Sequence, residues 1–347
     1  METLITGATG FLSRHLIPAL QERGATLRAL ALPTEDTSWL EERGVAIYRG
    51  DICEPETLVA PMRDVQIVFH LAGMMGLWRP MSDYYRVNVT GAENVCRLAL
   101  QAGVRRIIHI SSWTVYGMGL RYSAPEHAPL KPFQEPYAVT KAAGDRAVQR
   151  LIARERLPAV IVRPGTFFGP GDHLHFGRMS DRLRSGKGII VGSGRNALPF
   201  VYVTDVVQGL LLAAENERAV GQAYNITNDA PLTQEEILRA IAEEIGARAP
   251  RRHVPYAALY AAAAAIEKTA MMTHRQQQPL VTRLGVKLFG GDNRHSIDKA
   301  REELGFTPQI SLREGIRLAA RWYLEQRGTQ ERTIISHLTQ APVAKTG

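Results

Sequence analysis

Tyr137 and Lys141 are the two residues whose types and spacing first indicate chemistry. They stand four positions apart, so that on a helix they share one face. A phenol, with a pKa of about 10, is a poor base at neutral pH, and a neighbouring ammonium favours the phenolate and lowers that pKa. The pair could exchange a proton with a substrate oxygen, and we expect Lys141 to lower the pKa of Tyr137.

Ser111 and Ser112 supply a third group. Ser111 ends the run 106–111, which is typical of a buried parallel strand, and Ser112 follows directly. A serine at the carboxyl end of such a strand faces the cleft in which doubly wound folds bind ligands. The hydroxyl of Ser112 could hold the reacting oxygen beside Tyr137. The sequence therefore predicts Ser112, Tyr137 and Lys141 as the catalytic residues.

A glycine turn stands near the start of the sequence. Gly7 and Gly10 follow a strand-like run at 2–6 and precede a helical pattern at 13–21. Glycines permit a tight turn, and the helix that follows offers free N–H groups and the positive end of its dipole to a pyrophosphate. In this context the turn predicts a dinucleotide site. A bound nicotinamide would exchange hydride with the substrate while Tyr137 moves the proton.

The end of the second predicted strand, at 27–32, usually decides between NAD and NADP. Residues 31–34 include neither an acid for the ribose 2′-hydroxyl nor an arginine for a 2′-phosphate. Glu35 and Asp36 follow shortly and disfavour a phosphate, so the sequence favours NAD and leaves NADP open. Asp51, after a short strand, could accept a hydrogen bond from adenine or cap the next helix.

Strand-like and helical patterns alternate through the first two-thirds of the chain. Strands are predicted at 2–6, 27–32, 44–48, 66–71, 106–111 and 159–163, and helices at 13–21, 54–62, 87–102 and 137–154. This alternation indicates a doubly wound α/β (Rossmann) fold, with a parallel sheet covered on both faces. We expect a dinucleotide-binding domain at 1–164, followed by a smaller C-terminal α+β substrate lobe at 165–327 that partly returns to the Rossmann core. The lobe has strands at 200–203 and 223–227 and helices at 232–245 and 312–325, and a flexible tail follows at 328–347.

Composition argues against several classes of protein. The 347 residues carry 42 Lys and Arg against 34 Asp and Glu, but no basic block of the kind that binds nucleic acid, and the densest cluster lies at 248–253. Cys53 and Cys96 lack the spacing of a metal site or a disulfide framework, so neither is expected. We expect no signal peptide, and the longest apolar run, 256–266, is too short to span a bilayer. A cytoplasmic location follows, with 256–272 as a core helix, a lid or a peripheral membrane contact.

Several strings come in the order of a known family. They are TGATGFL at 6–12, Asp51, HLAG at 70–73, NVTG at 88–91, SSWTVYG at 111–117, YAVTK at 137–141, RPG at 163–165 and FVYVTDV at 200–206. Over about residues 1–325 the chain resembles the extended short-chain dehydrogenases/reductases of the NAD-dependent epimerase/dehydratase superfamily. The finer strings at 163–172, 200–207 and 222–227 resemble the 3β-hydroxysteroid dehydrogenase/sterol-4α-carboxylate 3-dehydrogenase group.

The resemblance implies an NAD- or NADP-dependent oxidoreductase that interconverts a secondary alcohol and a ketone. It implies that Tyr137 is the acid/base, that Lys141 also holds the nicotinamide ribose, and that Ser112 orients the substrate oxygen. The implied cofactor contacts are Gly7, Gly10, Phe11, Leu12, Asp51, Ile52, Leu71, Ala72, Asn88, Tyr137, Lys141 and Pro164. Ser13 departs from the glycine or alanine that the family often has there. A homodimer through the helices near 88–102 and 137–154 is also implied.

Two apolar segments predict the class of substrate. Residues 73–78 after the fourth strand include methionines, Leu77 and a tryptophan, which offer adaptable apolar surface and few groups for sugar hydroxyls. Phenylalanines after the sixth strand could line the same cleft or lie in the lobe core. The predicted substrate contacts are Met74, Met75, Trp78, Phe167 and Phe168, around a small hydrophobic molecule such as a sterol or a 3-oxo acid, with Arg79 or another cation for a carboxylate.

Two alternatives remain open at this point. A nucleotide-sugar 4-epimerase, reductase or dehydratase on the same scaffold would need arginines for a diphosphate, and the candidates are Arg178, Arg182, Arg184 and Arg195. A cofactor-binding sensor without activity is the other alternative, and the intact set of Ser112, Tyr137 and Lys141 argues against it.

Overall fold

The computed structural model describes residues 1–76, 78–120, 122–273, 279 and 281–339, and only the backbone of 329–339. Its centre is a seven-stranded parallel sheet in the order β10-β6-β5-β4-β1-β2-β3. The strands are β1 (Glu2–Thr6), β2 (Thr26–Ala31), β3 (Ala46–Arg49), β4 (Ile67–His70), β5 (Arg106–Ile110), β6 (Ala159–Pro164), β7 (Thr166–Phe168), β8 (Ile190–Val191), β9 (Phe200–Tyr202), β10 (Ala223–Ile226) and β11 (His253–Val254). This architecture confirms the doubly wound α/β prediction.

Helices cover both faces of the sheet and build the lobe. They are α1 (Phe11–Glu22), α2 (Ser38–Glu41), α3 (Val59–Met62), α4 (Met81–Tyr85), α5 (Ala92–Gln101), α6 (Pro136–Glu155), α7 (Arg178–Arg184), α8 (Val203–Glu215), α9 (Gln234–Glu244), α10 (Tyr256–Met272), α11 (Arg283–Gly290), α12 (Asp298–Leu304) and α13 (Leu312–Thr339). Short 3₁₀ turns lie at Pro55–Leu58, Trp113–Tyr116 and Glu217–Ala219, and π-helical turns at Arg86–Gly91 and His173–Gly177.

The alternation of side chains along each strand divides the core into two layers. On one face, Ile5 and Ile108 pack with the apolar sides of α1 and α8. On the other face, Leu4 and Ile107 pack with α5 and α6. Because β4, β5 and β6 are buried on both faces, their sequences are largely apolar, which is the pattern from which the sheet was predicted.

The lobe is held by two short parallel strand pairs and a core of its own. β7 pairs with β9, and β8 pairs with β11. Phe168, Phe200 and Ile316 belong to a buried cluster between these strands, α9 and α13. α10 and α11 pack on β8 through Val191, Ala263 and other residues of a smaller cluster.

Several elements differ from the sequence prediction. The helix expected at 54–62 is a 3₁₀ turn followed by α3, and the helix expected at 87–102 is a π-turn followed by α5. α8 was not predicted, because most of its residues are apolar and buried and only a narrow stripe with Thr204, Gln208 and Glu215 reaches the surface. α13 continues to Thr339 instead of ending at 325, since helix formers sustain a helix without an apolar stripe. Residues 340–347 of the predicted tail lie outside the described residues.

No helix among the described residues has the length and apolar character that crossing a bilayer requires. No group of His, Cys, Asp and Glu side chains among them could hold a metal ion.

Candidate active site

Ser112 and Tyr137 meet at the carboxyl end of β5. Ser112 follows the strand in extended conformation, and its Oγ accepts hydrogen bonds from Thr114 N at 3.2 Å and Thr114 Oγ1 at 2.9 Å. α6 begins at Pro136, so Tyr137 lies in its first turn. The side chains of Ser112 and Tyr137 are hydrogen-bonded to each other. The structure thus brings together the two groups that the sequence placed at one substrate oxygen.

The pKa of Tyr137 differs from the expectation. Burial raises it to about 12, the hydrogen bond with Ser112 opposes the rise, and the nearby Glu135 and Tyr84 add to it. Lys141 is not among the groups that shift this pKa, so its expected effect on Tyr137 stays a prediction. The phenol is protonated at neutral pH and can act as an acid.

Lys141 lies one helical turn further along α6 and is buried. Its Nζ donates a hydrogen bond to the carbonyl oxygen of Ile110, the last residue of β5, at 2.6 Å. Burial lowers the pKa of Lys141 to about 8, and the negative charge of Asp145 opposes that shift. A Cβ placed on Gly73 would lie 3.8 Å from Lys141 Nζ, so the ammonium also faces the backbone that follows β4. Lys141 is therefore directed at the strand ends rather than at the phenol.

Asp145 and Arg163 form a buried ion pair that the sequence analysis missed. Asp145 Oδ2 accepts from Arg163 Nε at 2.8 Å and from Ser111 Oγ at 2.6 Å, and Asp145 Oδ1 accepts from Arg163 Nη2 at 2.9 Å. Arg163 Nη1 donates to the hydroxyl of Tyr116 at 2.7 Å. This network ties β5, β6 and the turn after Ser112 to α6. Hydrogen bonds and the charge of Arg163 hold the pKa of Asp145 below its usual value, although burial opposes this shift.

The glycine turn has the shape that a pyrophosphate needs. Gly7 has a φ of 70°, and a Cβ on it would lie 2.7 Å from Ala72 N. Ser13 Oγ donates to Gly7 O at 2.8 Å, so serine at the third small position closes the turn. No side chain caps α1 at Gly10, which leaves its first N–H groups available to an anion. The residues present fit a dinucleotide.

Phe11 and Leu12 can meet that dinucleotide only through their backbone. Leu12 is buried in the core beneath the sheet, and the ring of Phe11 stacks on Phe167 at 5.9 Å. His15 Nε2 forms a hydrogen bond with Pro170 O at 2.9 Å. These contacts place the start of the lobe against α1, beside the glycine turn.

The residues predicted to meet adenosine lie in the loops after β2, β3 and β4. Asp51 Oδ1 accepts from Cys53 N at 2.9 Å, and its other oxygen lies 3.5 Å from Arg86 Nη1, so the carboxylate already caps a turn. Ile52 is buried, whereas Leu71 and Ala72 are half-buried directly after β4. Glu35 Oε2 accepts from Leu32 N at 2.8 Å, which puts an acid at the end of β2 that residues 31–34 did not supply.

Asn88 fixes the loop after β4. Its Oδ1 accepts from Met74 N at 2.8 Å, and its Nδ2 donates to Met74 O at 3.1 Å and to Thr140 Oγ1 at 3.1 Å. Asn88 lies in the π-turn, where the extra residue per turn redirects side chains, and such turns are frequent at functional sites. Since Thr140 lies between Tyr137 and Lys141 on α6, Asn88 links the predicted substrate loop to the catalytic helix.

The predicted substrate contacts have different environments. Met74 and Trp78 are half-buried and Met75 is exposed, whereas Leu77 lies outside the described residues. Phe167 is half-buried, but Phe168 is fully buried among Phe176, Phe200 and Tyr202. Phe168 is therefore a lobe-core residue and not a substrate contact, because neighbouring strand residues face opposite sides. Pro164 ends β6 and pairs in register with Ile226.

The four arginines proposed for a diphosphate do not form a site. Arg178, Arg182 and Arg184 are exposed on α7, and Arg195 is exposed on the turn after β8. Arg79 is also exposed, in the segment before α4. The positions of these side chains give the nucleotide-sugar alternative no support.

Comparison with known proteins agrees with this geometry. Residues 3–227 match the family described as "NAD dependent epimerase/dehydratase family". The chain is 30% identical over 331 residues to a 2-alkyl-3-oxoalkanoate reductase of Stenotrophomonas maltophilia, covering 91% of this chain and 98% of the relative. It is 30% identical over 323 residues to the sterol-4-alpha-carboxylate 3-dehydrogenase, decarboxylating, of Mus musculus, covering 90% and 88%.

A solved structure shares the fold and carries a cofactor. MoeE5 in complex with UDP-glucuronic acid and NAD superposes with a TM-score of 0.73 at 26% identity, covering 94% of this chain and 100% of MoeE5. Together with the match of the family over most of the chain, the glycine turn identifies the cofactor class. The chain belongs to the NAD dependent epimerase/dehydratase family and is an NAD(P)-dependent oxidoreductase of the short-chain dehydrogenase/reductase type.

Proposed function

We propose that the chain interconverts a secondary alcohol and a ketone on a hydrophobic β-oxy acid. In such an acid the carboxyl group stands on the carbon next to the reacting carbon. The hydrogen bond between Ser112 and Tyr137 at the end of β5 carries the proposal. It supports a single site at which both hydroxyl groups contact one substrate oxygen.

The side chains of this site divide the work. NAD or NADP, when bound, donates or accepts the hydride. In the direction of reduction, Tyr137 donates its proton to the ketone oxygen, since a phenol with a pKa of about 12 keeps its proton until that oxygen becomes basic. Ser112 holds the same oxygen and limits its position. Lys141, anchored on Ile110 O, presents its ammonium to the nicotinamide ribose.

Two relatives suggest the substrate class. One is named for a 3-oxoalkanoate and the other for a sterol-4-carboxylate oxidised at carbon 3. In both molecules the carboxyl-bearing carbon is bonded to the carbon that changes oxidation state. The half-buried Met74 and Trp78 favour an apolar body for the substrate of this chain.

We also propose that NAD is preferred over NADP. The carboxylate of Glu35 is held at the amide of Leu32, at the end of β2. A carboxylate there can accept a hydrogen bond from a ribose hydroxyl, and it repels a 2′-phosphate. Arg49 steadies the turn through hydrogen bonds to Leu32 O at 3.1 Å and Glu35 O at 2.8 Å.

Three further proposals rest on the sequence: a homodimer through α5 and α6, a cytoplasmic location, and a peripheral membrane contact through α10. Sedimentation of the purified protein tests the first, localisation of a tagged chain the second, and flotation with vesicles the third. The homodimer is refuted by a monomer in sedimentation. The cytoplasmic location is refuted by export of the tagged chain, and the membrane contact by a protein that stays with the aqueous fraction.

A substrate panel tests the main proposal. Purified protein with NADH or NADPH is given 2-alkyl-3-oxo acids, 3-oxosteroids and UDP-sugars, and reduced nicotinamide is followed by absorbance. We expect turnover of 3-oxo acids, faster with NADH, and none in Tyr137→Phe. Isomerisation of a UDP-sugar with tightly retained NAD, and no turnover of oxo compounds, would favour the nucleotide-sugar alternative instead.

A further inference from the structure

A surface pocket of about 270 Å³ lies between the turn that follows Ser112 and the start of α6. Its lining combines aromatic and aliphatic side chains with two lysines, and polar atoms supply more of its exposed surface than apolar atoms do. The lining residues are Tyr116, Gly117, Met118, Leu120, Tyr122, Pro129, Lys131, Phe133 and Lys287. At about 30 Å³ per water molecule, this volume equals about nine waters. It could hold a carboxylate with several methylene groups.

The two cations of the pocket have no carboxylate partner. Within the part of the chain that the structure describes, neither Lys131 nor Lys287 takes part in an ion pair. The Nζ of Lys287 lies 5.0 Å from the centre of the Phe133 ring and 5.9 Å from that of Tyr260. Aromatic faces orient an ammonium without neutralising its charge. Lys287 is therefore held in place with its charge available to an anion.

The acidic side chains at this end of α6 are engaged elsewhere. Glu267 on α10 forms an ion pair with Arg283 on α11. Glu135 accepts a hydrogen bond from Ala138 N at 3.1 Å and caps α6. Since the acids are occupied, an anion in the pocket would meet two uncompensated lysines.

Two walls of the pocket lie close in sequence to the predicted catalytic residues. Gly117 ends the SSWTVYG string that contains Ser112, and Phe133 stands four residues before Tyr137, in the loop that leads into α6. A Cβ on Gly117, which has a φ of 105°, would lie 2.7 Å from Lys131 O, so these two walls are in close contact. The pocket therefore opens at the same end of α6 as the catalytic phenol.

We propose that this pocket is a subsite for a carboxylate of the substrate, in which Lys287 and Lys131 bind the acid and the aromatic walls bind the adjoining alkyl chain. The inference rests on the proposed function and names two residues that would select acids over neutral ketones. Lysine suits this task as a compact point charge that tolerates several carboxylate positions. Neither lysine was singled out by the sequence, where each is one cation among many.

Binding and turnover together test this subsite. Dodecanoate and methyl dodecanoate are titrated into wild type and Lys287→Met by calorimetry, and kcat/KM is measured for a 3-oxo acid and its methyl ester. We expect Lys287→Met to weaken dodecanoate binding and to lower kcat/KM for the acid, each about tenfold, because a hydrogen bond to a charged group typically contributes that much. Binding of methyl dodecanoate and kcat/KM for the 3-oxo methyl ester should stay unchanged. Lys287→Arg should recover most of the lost affinity and activity toward the acids.

Lys268, an exposed lysine of α10, provides the matched control. Lys268→Met removes an exposed lysine from α10 outside the pocket and should change nothing. An equal loss for acid and ester, or no loss for the acid, would overturn the subsite. Weakened binding of dodecanoate without turnover of any oxo acid would instead refute the proposed reaction and leave the anion subsite standing.

Discussion

The catalytic helix and the α10–α11 helices are built in opposite ways. Lys141 and Asp145 on α6 are 6% and 0% exposed, and each has a strong hydrogen-bonding partner in the sheet or the turn beside it. On α10, Met271 and Met272 are 58% and 71% exposed, and the nearby Lys287 on α11 keeps its charge free. The side chains on α6 are thus fixed by several buried contacts at once. Under the subsite proposal, substrate choice depends on Lys287 of α11, outside this buried framework.

The largest effect should come from the phenol itself. Tyr137→Phe keeps the ring and removes the proton donor, so kcat should fall about 10²- to 10⁴-fold, the usual contribution of general acid catalysis. NADH binding and the unfolding midpoint should stay near wild type, and Tyr85→Phe, at an exposed tyrosine, serves as the matched control. Steady-state kinetics with the best substrate measure the change. Residual activity within threefold of wild type would move the proton transfer to another group.

The buried ion pair should dominate stability. Arg163→Met leaves Asp145 charged and buried without its partner, and such a loss costs about 3–5 kcal/mol of unfolding free energy. The double variant Asp145→Leu/Arg163→Met should cost much less than the two single changes added together, because no unpaired charge remains. Urea unfolding followed by circular dichroism gives these values. Additive effects would show that the two side chains do not depend on each other.

Cofactor binding should depend on pH through Lys141. Its pKa of about 8 means that the ammonium is present below that pH and is lost as the pH rises through it. Loss of a charged hydrogen-bond donor should weaken NADH binding up to about tenfold above pH 8. Lys141→Arg keeps its charge throughout this range and should give a flat profile. Fluorescence titrations compare the two, and identical profiles would assign the transition to a different group.

The lowered pKa of Lys141 also makes the stability of the fold depend on pH. An unfolded lysine titrates at about 10.4, so between about pH 8 and pH 10 the unfolded chain binds more protons than the folded one. The contribution of Lys141 to the free energy of unfolding should therefore rise with pH across that window. Lys141→Met, which does not titrate, should lack this contribution.

The sequence predicted the meeting of Ser112 and Tyr137 because a strand end and a helix face are both local patterns. It missed the pairing of Asp145 with Arg163, although a signal existed: Asp145 continues the four-residue spacing of Tyr137 and Lys141, and Arg163 stands in a buried strand. The direction of the Lys141 side chain could not be predicted. Its partner is the backbone carbonyl of Ile110, and every residue type has such a carbonyl.

The lobe was harder to predict than the sheet for a physical reason. Its strands have only two or three residues, too few to show alternation. α8 is buried on most sides and presents only a narrow polar stripe. The two predicted substrate contacts in the lobe were also only partly correct. Phe167 and Phe168 are adjacent on β7. Because successive side chains of a strand point to opposite faces, the sequence does indicate that only one of them can face α1.

The smallest effect should come from the exposed end of α10. Met271→Ser and Met272→Ser should each change the free energy of unfolding by less than about 0.5 kcal/mol, because an exposed side chain loses few contacts. Ala263→Leu, at a fully buried position of the same helix, should cost about 1–3 kcal/mol by overpacking. Thermal unfolding of the three variants compares them directly. If the methionine variants were as costly as Ala263→Leu, this face would have to be covered in solution, and the contrast between the two helical regions would not hold.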